Sequence, residues 1–226
     1  MTALIFIGPL IVHDPDDPYK DQYDEEIILT SSDWYHDQVP ALIEQMLVTT
    51  NTQFLPPFPE ALLLNDTQQS KLNFVPGKNY KVRFINMAAL ASVLLQFDSH
   101  TMRVVEVDGT YIQKHDAYQI RVAPAQRYTF ILNAQPTTRR NYGFLASLDM
   151  NKDFANDPAP TYPFNITGYI VYDEAKALPD PYVVTKWKPV DDYTFKPLEC
   201  QCLSNTADKI ITLDFNFNLD AAGIPR

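Results

Sequence analysis

The chain is short of glycine, with 6 in 226 residues, and shorter still of cysteine, with 2. Few glycines leave few freely flexible joints, and the 18 prolines fall mostly between apolar runs, where they stiffen loops instead of interrupting strands. Cys200 and Cys202 stand one residue apart, a spacing at which a mutual disulfide is strained and a complete zinc site is excluded without partners. Free thiols are the expectation. Basic charge is also scarce. Lys and Arg number 18 against 28 Asp and Glu, a formal net charge of −10, which repels a nucleic-acid backbone and excludes that class of partner. The acidic run Asp14, Asp16, Asp17, Asp21, Asp24, Glu25 and Glu26 reads as solvated surface. No apolar run is long enough to span a membrane. The opening Ala3 to Val12 holds Gly8 and Pro9, lacks a basic leader, and reads as a strand. There is no glycine-rich phosphate loop, no Gly-X-Ser-X-Gly elbow and no His-Glu-X-X-His helix.

What is present is apolar and aromatic. Hydrophobic residues make up 46% of the chain, with 13 Tyr and 13 Phe, a composition suited to packed sheets. Strand-like runs are expected at 25–30, 62–64, 72–75, 80–86, 93–98, 102–107, 117–122, 128–133, 142–148, 167–172 and 210–217, separated by turn signals such as Pro76-Gly77 and Asp108-Gly109. In Tyr80-Lys81-Val82-Arg83-Phe84 the large apolar residues alternate with cations, which predicts a sheet with one wet face. One short helix is expected within 37–49, where Val39, Leu42, Ile43, Met46 and Leu47 fall at helical spacing and Pro40 is tolerated in the first turn. The reading is an all-β Greek-key sandwich or barrel with one or two short helices over 1–173. A connector rich in Pro and Asp, with a terminal strand, follows over 174–226.

Four segments carry a resemblance: Gly8-Pro9-Leu10-Ile11-Val12-His13, Asp33-Trp34-Tyr35-His36-Asp37, Met102-Arg103-Val104-Val105-Glu106-Val107-Asp108-Gly109 and Ala123-Pro124-Ala125-Gln126-Arg127-Tyr128. Together they resemble the middle cupredoxin domain of multicopper oxidases. The stretch from Asp24 through Asp37, followed by Pro57-Phe58-Pro59 and Leu64-Asn65-Asp66-Thr67, is closer to the fungal ferroxidase branch than to plant laccases. The resemblance implies a copper-free domain that joins copper-bearing domains and shapes one wall of the substrate site, while the complete enzyme is a copper-dependent, oxygen-reducing oxidoreductase. A rival reading is a stand-alone accessory or homodimerising protein working beside a copper-bearing partner oxidase.

No cofactor is expected in this chain itself. The family's copper ligands are His-X-His pairs and a Cys with two His, whereas His13, His36, His100 and His115 are scattered singly. His36 is expected to be packed and hydrogen-bonded, His100 and His115 to be loop residues beside acids, and Arg127 to fasten the loop before its strand. The ferroxidase branch binds ferrous iron with acidic residues. The resemblance places Pro56 at the first of those positions, with Glu60 four residues on, and offers Asp149 and Asp153 for the second, where Phe154 is the strictly aligned residue. Asn65-Asp66-Thr67 and Asn165-Ile166-Thr167 are glycosylation patterns and, with the family, imply a secreted or cell-surface protein without a membrane span.

Overall fold

The computed structural model describes residues 8–51, 55–137, 139–149, 164–199, 206–215 and 218–224. In chain order the elements are β1 (Glu25–Trp34), α1 (Val39–Met46), β2 (Ala61–Leu64), β3 (Lys71–Asn73), β4 (Asn79–Asn86), β5 (Val93–Phe97), β6 (Met102–Val107), β7 (Thr110–Ala117), β8 (Ile120–Val122), β9 (Arg127–Asn133), β10 (Tyr142–Leu148) and β11 (Asn165–Val171), with 3₁₀ turns at Lys20–Gln22 and Asp192–Thr194. Six strands form one sheet in the order β2-β1-β4-β9-β6-β7, and five form the other in the order β3-β11-β10-β5-β8. Most pairings are antiparallel; β1 with β4 and β11 with β3 are parallel.

Between the sheets lies one core. Tyr80, Val82 and Phe84 of β4 and Tyr128, Phe130 and Leu132 of β9 point inward, against Val93, Leu95 and Phe97 of β5 and Phe144 and Ala146 of β10. Alternate residues of each strand share a face, so the pattern visible in the sequence builds this core directly. The ring of Phe144 lies over Gly168 in the paired strand β11, where a Cβ would stand 2.1 Å from the ring; the glycine is the space the phenylalanine occupies. Hairpin β6–β7 turns on Asp108 (φ 50°) and Gly109 (φ 82°), both in the left-handed region, as Asp-Gly pairs favour.

The outer face of the six-stranded sheet is wet only in part: Ile28 and the Arg103–Asp116 pair are exposed as expected, but the patch around Lys81 is covered. Residues 14–23 cross it as a strap, and Lys81 is buried beneath, its Nζ 2.6 Å from Asp17. Tyr23 donates to Asp17 Oδ2 at 3.1 Å, and the backbone N–H of Tyr19 donates to Asp17 Oδ1 at 2.8 Å. Tyr19, Val105 and Ile131 form a second, smaller core under the strap, and a register shift between Val104 and Glu106 leaves Val105 as the extra residue there. Asp17 is therefore a buried structural anion and not part of a solvated acidic surface.

Three further expectations are corrected. Residues 8–12 are not a strand, and Leu10 and Val12 are exposed, because no backbone among the described residues pairs with them. The described part of the 210–217 run is likewise unpaired, with Ile210, Ile211, Leu213 and Phe215 exposed. The run read as one strand at 117–122 is instead the end of β7 and the start of β8, which lie in different sheets; β7 was masked by its polar residues Gln113, Lys114, His115 and Asp116. The connector after β11 is fastened to the sandwich. Asn141 Nδ2 donates to the carbonyls of Asp173, Lys176 and Ala177, Gln96 Nε2 donates to the Tyr182 hydroxyl at 2.6 Å, and Pro197 forms a bridge beside Ile112 on the free edge of β7. That bridge covers an edge which would otherwise invite pairing with another chain.

Candidate functional site

The topology brings the C-terminal ends of β1, β4 and β10 and the N-terminal ends of β2, β5 and β11 to one end of the sandwich. Glu60 precedes β2 there, its N–H donating to the carbonyl of Trp34 at 2.8 Å. Its carboxylate takes the backbone N–H of His36 at 3.2 Å and contacts the His36 ring at Nδ1. The His36 side chain is 72% exposed and that of Glu60 26%, so His36 is hydrogen-bonded but not packed. Trp34, half exposed, meets the imidazole edge-on. The short helix α1 follows this turn and buries none of its residues.

Asp149 reaches the same end directly after β10. Its N–H donates to the Ser92 carbonyl at 2.8 Å, and its carboxylate accepts from Arg121 Nε at 2.7 Å. It is a buried, paired acid and not a solvated loop residue. Asp153 and Phe154, with Cys200 and Cys202, lie outside the described residues. The 87–92 loop that joins these parts is organised by two side chains which sequence reasoning did not single out. Asp33 accepts the N–H groups of Ala89 and Leu90 at 2.9 and 3.0 Å; Asn86, fully buried, donates to the carbonyls of Ala91 and Val122 and accepts from Ser31 and Ala88. The available signal was an Asn closing the strongest alternating strand in the chain, at the position where a turn must be tied down.

The other residues named from sequence are dispersed. Asn65 and Asp66 form the two central positions of a tight turn after β2, with φ of 48° and 58°, and Asn65 Oδ1 accepts the N–H of Thr30 at 2.7 Å. Asn165 opens β11, exposed, on a groove it shares with Gln68, Gln69 and Thr167. Arg127 fastens its loop as expected, with Nη1 3.1 Å from both Asp108 Oδ1 and the Ala125 carbonyl. His115 sits on β7 against Phe195, and Pro56 in the irregular stretch before β2. His100 lies in the loop after β5, beside Asp98, as expected; it is also buried, with Nδ1 on the Asp98 carbonyl and Nε2 on the Tyr172 hydroxyl.

Residues 25–175 match the family model for multicopper oxidases. The chain belongs to the multicopper oxidase family. It is 44% identical over 207 residues to the iron transport multicopper oxidase fetC of Epichloe festucae, covering 92% of this chain and 33% of that protein. It is 36% identical over 218 residues to the iron transport multicopper oxidase FET3 of Candida albicans, covering 96% and 34%. The fold agrees: 93% of this multicopper oxidase domain superposes on 40% of the crystal structure of Fet3p, a multicopper oxidase that functions in iron import, with TM-score 0.86 and 29% identity. The laccase of Botrytis aclada shares the fold, with TM-score 0.61 and 23% identity over 73% of this chain and 32% of the laccase. The chain thus spans about a third of the length of the curated relatives it matches and is a cupredoxin-like domain of the family.

Copper is the family's cofactor, and the described residues do not fit it. No group of three or more His, Cys, Asp or Glu side chains among them is placed to hold a metal ion. Both ring nitrogens of His100 are committed to hydrogen bonds, and His36 Nδ1 to Glu60. No chemical step is assigned to copper through these side chains. No helix among the described residues is long and apolar enough to cross a membrane.

Proposed function

We propose that this chain is the copper-free cupredoxin domain of a larger fungal multicopper oxidase of the iron-transport type, joining copper-bearing domains and forming one wall of the substrate site without catalysing oxidation itself. The observation that carries this reading is the superposition of nearly the whole chain on less than half of an iron-import oxidase. Of the acids named for iron, Glu60 is the better placed: it sits at the rim beside an exposed imidazole, where a carboxylate oxygen can turn to a hard cation. Asp149 reaches iron only by leaving Arg121, and Asp153 remains a candidate on the resemblance alone. Asn65 and Asn165, both exposed, are the proposed glycan acceptors of a protein in the secretory pathway.

The test is reconstitution of the isolated chain with copper. The expected result is no blue absorbance band and no oxidation of ferrous iron or of a phenol; a blue band with turnover overturns the reading. A second reading, an accessory or homodimerising protein, is favoured by the exposed apolar residues Leu10, Val12, Ile210, Ile211, Leu213 and Phe215. Sedimentation of the full chain separates the two: a stable dimer supports the second.

A further inference from the structure

At the end of the sandwich opposite Glu60, a buried aromatic group serves no part of the site above. His100 follows β5, Tyr142 opens β10, Tyr172 follows β11, and Phe74 lies beside β3. The Tyr142 ring stands edge-on to His100 at 5.0 Å, Phe74 stacks on Tyr80 at 4.1 Å, and Arg140 lies 4.6 Å above Tyr142. Within this group one hydrogen bond has a defined direction. His100 Nδ1 faces the Asp98 carbonyl at 2.7 Å, an acceptor only, so Nδ1 carries the ring proton and Nε2 presents its lone pair. The Gln135 N–H donates to the Tyr172 oxygen at 2.6 Å, which leaves the Tyr172 hydroxyl hydrogen for His100 Nε2 at 2.8 Å. The phenol is thus already aligned with a base.

That arrangement bears on oxidation. A phenol that loses an electron becomes a far stronger acid, so near neutral pH the reaction depends on an acceptor for its proton. A base within hydrogen-bond reach supplies one without waiting for solvent. We propose that Tyr172 and His100 form a redox-active pair, in which a strong one-electron oxidant takes an electron from the Tyr172 ring while the phenolic proton passes along the existing bond to His100 Nε2. The products are a neutral Tyr172 radical, a His100 imidazolium and the oxidant reduced by one electron. Return of the electron brings the proton back over the same bond. Burial lowers the pKa of His100 and pushes Tyr172 up to about 12, so both start neutral. The imidazolium once formed keeps its Nδ1 bond and feels the Asp98 carboxylate, which is itself held by Arg140 at 3.1 Å. Tyr142 and Tyr80 are the other titratable side chains that face the pair.

The experiment uses the full chain with photogenerated tris(bipyridine)ruthenium(III) as oxidant, followed by transient absorption and electron paramagnetic resonance. The expected result is a long-lived neutral tyrosyl radical whose rate of formation is flat between about pH 7 and 9, whereas a free tyrosine in solution reacts faster as pH approaches its pKa of about 10. Tyr172→Phe abolishes the long-lived component, and His100→Gln slows its formation on the order of 100-fold; Tyr142→Phe changes neither. Spin trapping with peptide mapping finds the radical at Tyr172 in the unaltered chain, which keeps the outcome decisive even where a variant folds poorly. A pair that merely clamps the 98–101 turn gives none of these signals. An unchanged long-lived radical in Tyr172→Phe, its absence in the parent chain, or an unchanged rate in a folded His100→Gln overturns the proposal.

Discussion

Two carboxylates, each bonded to a nitrogen-bearing side chain, are opposites in surroundings. Under the strap, Lys81 and Asp17 are 1% and 4% exposed, with the Tyr23 hydroxyl and the Tyr19 N–H completing the carboxylate's bonds. At the end of the sandwich His36 and Glu60 meet in solvent. The first pair is out of water and must be satisfied by its neighbours, so it fixes where the strap lies; the second is hydrated with or without its partner and fixes little. The lesson concerns function. An acid proposed to receive a cation has to be free to exchange partners, and only the exposed end offers that.

The largest effect is expected where one partner of the buried pair is removed. Asp17→Ala leaves the buried Lys81 ammonium with only the more distant Glu26 carboxylate, at 3.9 Å, and costs about 3 kcal/mol of stability by chemical denaturation. Replacing both partners with apolar residues recovers much of that loss, since the desolvation penalty goes with the charges. A pH dependence follows. Burial pushes the Asp17 carboxyl up, but its hydrogen bonds to Lys81, Tyr19 and Tyr23 outweigh this and hold it below its ordinary 3.8. The contribution is therefore complete above that value and lost as acid carries the pH down through the folded one. Denaturation curves in the Asp17→Ala variant should lose this acid limb. An unchanged limb would show that the strap is not held by this carboxylate.

Between the two extremes stands Arg121 with Asp149, at the same end as Glu60 but partly withdrawn from water, with side chains 32% and 8% exposed. Arg121→Ala leaves the Asp149 carboxylate without its guanidinium and is expected to cost about 1–3 kcal/mol, read from the shift in denaturation midpoint. An effect as small as that of a surface pair would mean that Asp149 is hydrated and available as a ligand.

The inner core was legible in the sequence because alternation reports which residues share a face: Tyr80, Val82 and Phe84 were placed correctly and are buried together. The same alternation misplaced Lys81. A period of two says that a residue points away from the core, not that water is there, and the strap that covers it has no periodicity of its own. Unpaired runs failed for the converse reason. Ile210, Ile211, Leu213 and Phe215 have strand composition, but a strand needs a neighbouring backbone, and none among the described residues pairs with them. At the candidate site, Glu60 was named as the acid four residues beyond the family position that Pro56 occupies, while its partner relation with His36 joins residues 24 apart in sequence and no local rule connects them. His100 was legible as a loop residue beside Asp98, but not its burial, since its partners are a backbone carbonyl and a tyrosine 72 residues on.

The smallest effect should be found at His36 and Glu60, and its smallness is informative. A double-mutant cycle over Glu60→Gln and His36→Ala is expected to give a coupling below about 1 kcal/mol in stability, since an exposed pair exchanges one hydrated state for another. The Glu60 backbone bond to Trp34 survives both changes, so the turn before β2 keeps its course and the cycle isolates the side chains. A weak coupling leaves the carboxylate free to turn toward a cation at little cost, as the proposed rim position requires. A coupling of several kcal/mol would place this pair with Lys81 and Asp17 as a structural lock, and Glu60 would then be no more available to iron than Asp17 is.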